Sequence, residues 1–157
     1  MKACIIGIGN RWREDDGVGL AAVERLKATI PSGLADIFYL EQRLFELQSC
    51  FDCYKKLVII DALPPGREPG RIRMQRITGP PETAVGIYSL HDLDLLWQIR
   101  YAFFSGFRGE VMLIGIEMGS MGYGEGLSLQ LKNKLAEVIS ELEPIVVEFL
   151  KDIITVG

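Results

Sequence analysis

The sequence is short of the residues that most chemistries need. It has one histidine, His91, and three cysteines, Cys4, Cys50 and Cys53. An odd cysteine count without an export signal argues against a disulfide framework. Cys50-Phe-Asp-Cys53 matches C-x-x-C, but a structural zinc site wants a second pair, and there is none. The pair reads instead as two small, partly buried residues on one side of a helix. No block of Lys or Arg occurs, and the net charge is −4, so the electrostatic footprint of a nucleic-acid binder is missing. No apolar stretch is long enough to span a bilayer. The first apolar run follows Met1 without a basic segment or a small-residue cleavage site. A cytoplasmic protein without a membrane partner is expected.

What remains is an ordinary globular balance: 48% hydrophobic and 24% charged over 157 residues. That length suits one domain, residues 1–157, with a sizeable core. Short apolar runs at Lys2–Ile8, Asp36–Leu40, Lys56–Asp61 and Glu110–Ile116 predict strands, and Ile72–Ile77 alternates like an edge strand. Helical periodicity marks Gly17–Ile30, Leu44–Tyr54, Leu90–Phe104 and Ser128–Ile154, the last split or kinked at Pro144. Strands alternating with helices predict an α/β fold: a three-layer αβα sandwich around a mostly parallel sheet of about five strands. Ligands of such sheets bind beyond the carboxyl ends of the strands.

Three segments reach that end. The first is "GIGNRWREDDGVG", Gly7 to Gly19. It has two glycines of a dinucleotide fingerprint, but the third position is Trp12, too bulky for close helix–strand packing. No Walker A sequence occurs, and Asp15 and Asp16 repel a polyphosphate, so no nucleotide is expected. One aspartate of the pair is expected to cap the following helix, and the other to project into the crevice. The second is Asp61, ending "LVIID". It either caps the turn "ALPPG" or lines the mouth of the sheet. The third is the glycine loop from Met118 to Gly126. His91 lies in "YSLHDLDLLWQI", where Ser89-Leu-His-Asp92 matches a capping box and sets the imidazole in a first helical turn. A helix N-terminus disfavours imidazolium, and neutral imidazole is the metal-binding form. Asp16, Asp61 and His91 together offer two oxygens and one nitrogen. That set suits a borderline divalent ion with open positions, or acid–base work in hydrolysis. Trp12 and Tyr123 are candidates to anchor a partner at the rim, with packing against the sheet edge the plainer role for Trp12.

"GIGN" followed by "EDDGVG", an aspartate ending a central strand in "IIDA", a histidine opening a later helix and a late "GYGEGLS" resemble the [NiFe]-hydrogenase maturation endopeptidases. The resemblance implies a three-layer α/β fold. It also implies removal of a C-terminal extension from the hydrogenase large-subunit precursor after nickel insertion. By motif position Asp16, Asp61 and His91 match the family's metal-contacting trio, with Asp16 where many members carry Glu. The nickel is expected to arrive in the substrate. Two loops depart from the common pattern, at Glu41-Gln42-Arg43-Leu44 and Glu117-Met118. The run "EQRLFEL" is closer to the branch associated with soluble bidirectional hydrogenases. The other classes in play are a non-catalytic metal-sensing module that docks on a metallated partner, and a small-molecule hydrolase or nucleotide binder.

Overall fold

The computed structural model describes residues 2–41, 43–82, 93–120 and 122–152. The predicted α/β sandwich is present. The strands are β1 (Ala3–Ile8), β2 (Asp36–Leu40), β3 (Lys56–Leu63), β4 (Ile72–Ile77) and β5 (Glu110–Glu117). The helices are α1 (Val18–Thr29), α2 (Leu47–Cys53), α3 (Leu93–Phe104) and α4 (Leu129–Lys151). Single 3₁₀ turns at Glu14–Gly17 and Leu44–Glu46 lead into α1 and α2.

The sheet order is β2-β1-β3-β5-β4. All pairings are parallel except β4 with β5. Every residue of β1 and β3 is buried. That is why their sequences are apolar almost without alternation: helices cover both faces of a parallel sheet. β4 is the edge strand its alternation predicted, and it carries Arg73 and Arg76. Charge on an edge discourages pairing with another chain.

Two cores form, one on each face. The first joins α1 and α4 through residues such as Val23, Leu26, Leu135 and Val146. The second joins α2 and α3 through Leu47, Phe51, Leu95 and Ile99. Of the two expectations for Pro144, a split or a kink, the split is absent: α4 is one helix that runs through Pro144. A proline inside a helix costs about 3 kcal/mol. The buried stripe Leu135, Val138, Ile139, Leu142, Val146, Phe149 and Leu150 spans both sides of it, and burial of such a stripe outweighs that cost.

At the amino end of the sheet, Lys56 is buried. Its ammonium donates to the Phe149 carbonyl at 2.8 Å and pairs with Glu110 at 3.2 Å. Arg76 bonds both oxygens of the same carboxylate. Burial pushes the Glu110 carboxyl up, but the hydrogen bonds and charges of Arg76 and Lys56 outweigh it and hold the group below its ordinary value. Cys50 is buried and Cys53 exposed, so the C-x-x-C pair does not share an environment as expected. The neighbour of Cys50 is Cys4; their contact and burial push the Cys4 thiol up. Among the described residues no helix is long and apolar enough to cross a membrane.

Candidate active site at the carboxyl end of the sheet

Glycine explains the opening turn. A Cβ on Gly19 would lie 2.5 Å from the carbonyl oxygens of both Ile8 and Ile60. No side chain fits there, and α1 therefore sits directly on the ends of β1 and β3. A Cβ on Gly9 would meet the Asp16 carbonyl at 2.2 Å, and one on Gly7 the Gly19 carbonyl at 2.9 Å. The glycines let the chain fold back on itself, so that Asp16 abuts the residue that follows β1.

Asp61 stands at the same end. Gly7 of β1 pairs with Ile60 of β3, which sets Asp61 level with Ile8. β3 continues two residues past Asp61, so this aspartate is within the strand rather than at its end. Its Oδ1 accepts from the Ala62 amide at 2.8 Å, and the side chain is 7% exposed. A nearly buried carboxylate beside the mouth of a parallel sheet is the chemical opportunity that the fold offers. The structure thus brings Asp16 and Asp61 to one end of the sheet. His91, with its capping box at Ser89, lies outside the described residues. Among the described residues no three His, Cys, Asp or Glu side chains are grouped closely enough to hold a metal ion.

The division of labour between the paired aspartates differs from the expectation. Asp15 is fully buried, and it caps no helix of its own. Its Oδ2 accepts from the Gly119 amide at 2.8 Å, the Ser120 amide at 2.7 Å and the Ser128 hydroxyl at 2.7 Å. Its Oδ1 accepts from the Ser128 amide at 2.7 Å. Ser128 is in turn the N-cap of α4. Asp15 therefore fastens the loop after β5 and the start of α4 onto the first turn. A second seam runs alongside. The Gly124 amide donates to the Trp12 carbonyl at 2.8 Å, and the Glu14 amide to the Gly124 carbonyl at 3.0 Å. Glu14 is held at φ 45°, a left-handed conformation that costs a non-glycine residue energy. Sequence reasoning missed this clamp; the one signal for it was a Ser opening α4 downstream of a glycine loop.

The rim is aromatic. Trp12 is 59% exposed and Tyr123 87%, so Trp12 does not pack away against the sheet edge. The Arg13 guanidinium lies over the Tyr123 ring at 5.4 Å. A cavity of about 380 Å³ opens beside the turn, lined by Arg11, Glu14, Leu20, Glu24, Tyr39 and Glu125. Asp16 and Asp61 do not line it. Of the two departing loops, Glu41 is ion-paired with Arg11, and Glu117 Oε2 accepts from the Glu68 amide at 2.5 Å. Glu117 thereby fixes the proline-glycine loop after β3.

This fold has close counterparts. The chain is similar to the hydrogenase maturating endopeptidase HybD from E. coli, with a TM-score of 0.74 at 22% identity, over 94% of this chain and 93% of that one. It is also similar to the [NiFe] hydrogenase maturation protease HycI from Thermococcus kodakarensis KOD1, with a TM-score of 0.66 at 26% identity, over 96% and 92%. No curated protein matches by sequence. The family model for hydrogenase maturation protease, HycI, matches residues 36–146. That span is well over half of the chain and includes Asp61 and the position of His91. With the fold and the sequence in agreement, the chain belongs to the hydrogenase maturation protease family.

Proposed function

We propose that this protein is the endopeptidase that removes the C-terminal extension of a [NiFe]-hydrogenase large-subunit precursor. It acts in the cytoplasm as one domain over residues 1–157, with nickel carried by the substrate as the recognition element. Asp16, Asp61 and His91 are its metal-contacting and catalytic set. The observation that carries this reading is the glycine-built turn. It sets Asp16 against the end of β1, at the same end of the sheet as Asp61, in a chain of the maturation protease family.

Two carboxylates and an imidazole fit a borderline ion with open coordination positions. A metal delivered by the precursor makes affinity report on assembly, because only the loaded substrate completes the contact. Asp61 is nearly buried, and in this reading its carboxylate takes the proton from the attacking water. The metal, as part of the substrate, polarises the scissile carbonyl. Trp12 and Tyr123 grip the substrate at the rim.

The test compares two precursors, nickel-loaded and metal-free, each incubated with the protein and analysed by mass. Release of a C-terminal fragment from the loaded precursor alone is expected. Binding without release from the loaded precursor identifies a metal-sensing module instead. Equal cleavage of both removes nickel from the account.

A further inference from the structure

One surface is unexplained by the site. α3 buries Leu95, Ile99 and Ala102 against the sheet. Its opposite face should be polar. Instead Trp97, Tyr101 and Phe104, at i, i+4 and i+7, form an outward ridge; they are 58%, 62% and 70% exposed. The Arg100 guanidinium lies over both the Trp97 ring, at 5.7 Å, and the Phe104 ring, at 5.4 Å. Arg100 is also hydrogen-bonded to the Pro81 carbonyl, so the cation and the rings brace one another. Trp, Tyr and Arg are the residues that dominate interface hot spots.

Size and position decide the occupant. Aromatic side chains of 150–250 Å² that are about three-fifths exposed leave roughly 300–450 Å² of ring surface on this ridge. That fits the apolar centre of a transient interface, and falls short of the roughly 1,000 Å² per subunit that an obligate dimer buries. A processing enzyme must let its product go, so its substrate is a transient partner. The ridge also begins near the site. Only a short link separates the end of α3 from the start of β5, so α3 runs antiparallel to β5 and its first turn lies at the carboxyl end of the sheet. The turn Leu44–Glu46, which follows β2 at that end, touches α3 and bears Phe45, 70% exposed.

We infer that the ridge of Trp97, Tyr101 and Phe104 is an exosite for the folded body of the hydrogenase precursor, separate from the groups that act on the bond that is cut. Its partner surface is apolar, with a carboxylate facing Arg100. This rests on the function proposed above. The exosite holds the large partner while the site works on its tail.

The test uses the wild type, the triple variant W97A/Y101A/F104A and the single variant Tyr101→Asp against nickel-loaded precursor. Precursor binding, processing kinetics and light scattering of the enzyme alone are measured. The triple variant should bind at least about 30-fold more weakly, with the loss in KM rather than kcat, and the enzyme should be a monomer. If the triple variant fails to fold, Tyr101→Asp carries the test with about a tenfold loss. Wild-type processing with variant binding unchanged overturns the exosite and leaves the function standing. Wild-type binding that depends on the ridge, without any cleavage, supports the exosite and overturns the proteolytic reading. A dimer that the triple variant dissociates assigns the face to a second copy and overturns the exosite, as does a wild type that does not bind the precursor.

Discussion

Replacing Asp15 by Asn tests whether this carboxylate is the clamp that holds the site together. Four donors converge on it, all within 2.7–2.8 Å, and water does not reach it. An amide has one acceptor oxygen. In its better orientation that oxygen keeps the Gly119, Ser120 and Ser128 hydroxyl contacts, and the NH₂ then faces the Ser128 amide, donor against donor. One bond to a charged group is lost, worth about 1.5–3 kcal/mol, and a buried N–H is left without an acceptor. The other three bonds lose their charge assistance, which about halves them. The sum is a loss of about 3–5 kcal/mol, a large part of the roughly 5–15 kcal/mol of a typical domain. Urea unfolding followed by circular dichroism should show it, and a thermal scan should show a fall in Tm of about 10–15 °C for a chain of this size. Hydrogen exchange should locate it, with protection lost at the Gly119 and Ser120 amides. A loss below about 1 kcal/mol would refute the clamp, since desolvated charged hydrogen bonds cannot be removed so cheaply.

Other perturbations follow from the same geometry. Gly19→Ala drives a methyl into the Ile8 and Ile60 carbonyls and should cost about 2–3 kcal/mol by thermal denaturation. Asp16→Asn should weaken binding of nickel-loaded precursor while leaving the affinity for metal-free precursor unchanged, measured by calorimetry. Glu110 is held below its ordinary value, so its contribution to stability is present above the unfolded-state value and is lost as pH falls through the folded one. The stability difference between wild type and Glu110→Gln should therefore be largest near neutral pH and shrink in acid, read from urea midpoints across a pH series.

Much of the fold was legible because burial on both faces leaves so plain a mark. "KACIIGI" and "KLVIID" carry almost no polar residue, and each became a central strand. The edge position of β4 was legible from its alternation. Pro144 does not split α4, because the buried stripe anchors the helix on both sides of it, which local propensity does not show. The end of β3 is not legible in the apolar run, which stops at Asp61, whereas pairing with β5 carries β3 on to Leu63. The role of Asp15 was out of reach for a different reason. Its partners are more than a hundred residues away, and local rules see only the helix that follows it. The same locality hid the α3 ridge: helical spacing identified the helix, but not that two of its faces are apolar.

The most direct measurement of the central claim is single-turnover processing of nickel-loaded precursor by the Asp61→Asn variant beside the wild type. The variant should fold, bind the precursor more weakly than the wild type, and release no fragment even at saturating enzyme. A fragment released at the wild-type rate by a folded Asp61→Asn protein would contradict the assignment of catalysis to this end of the sheet.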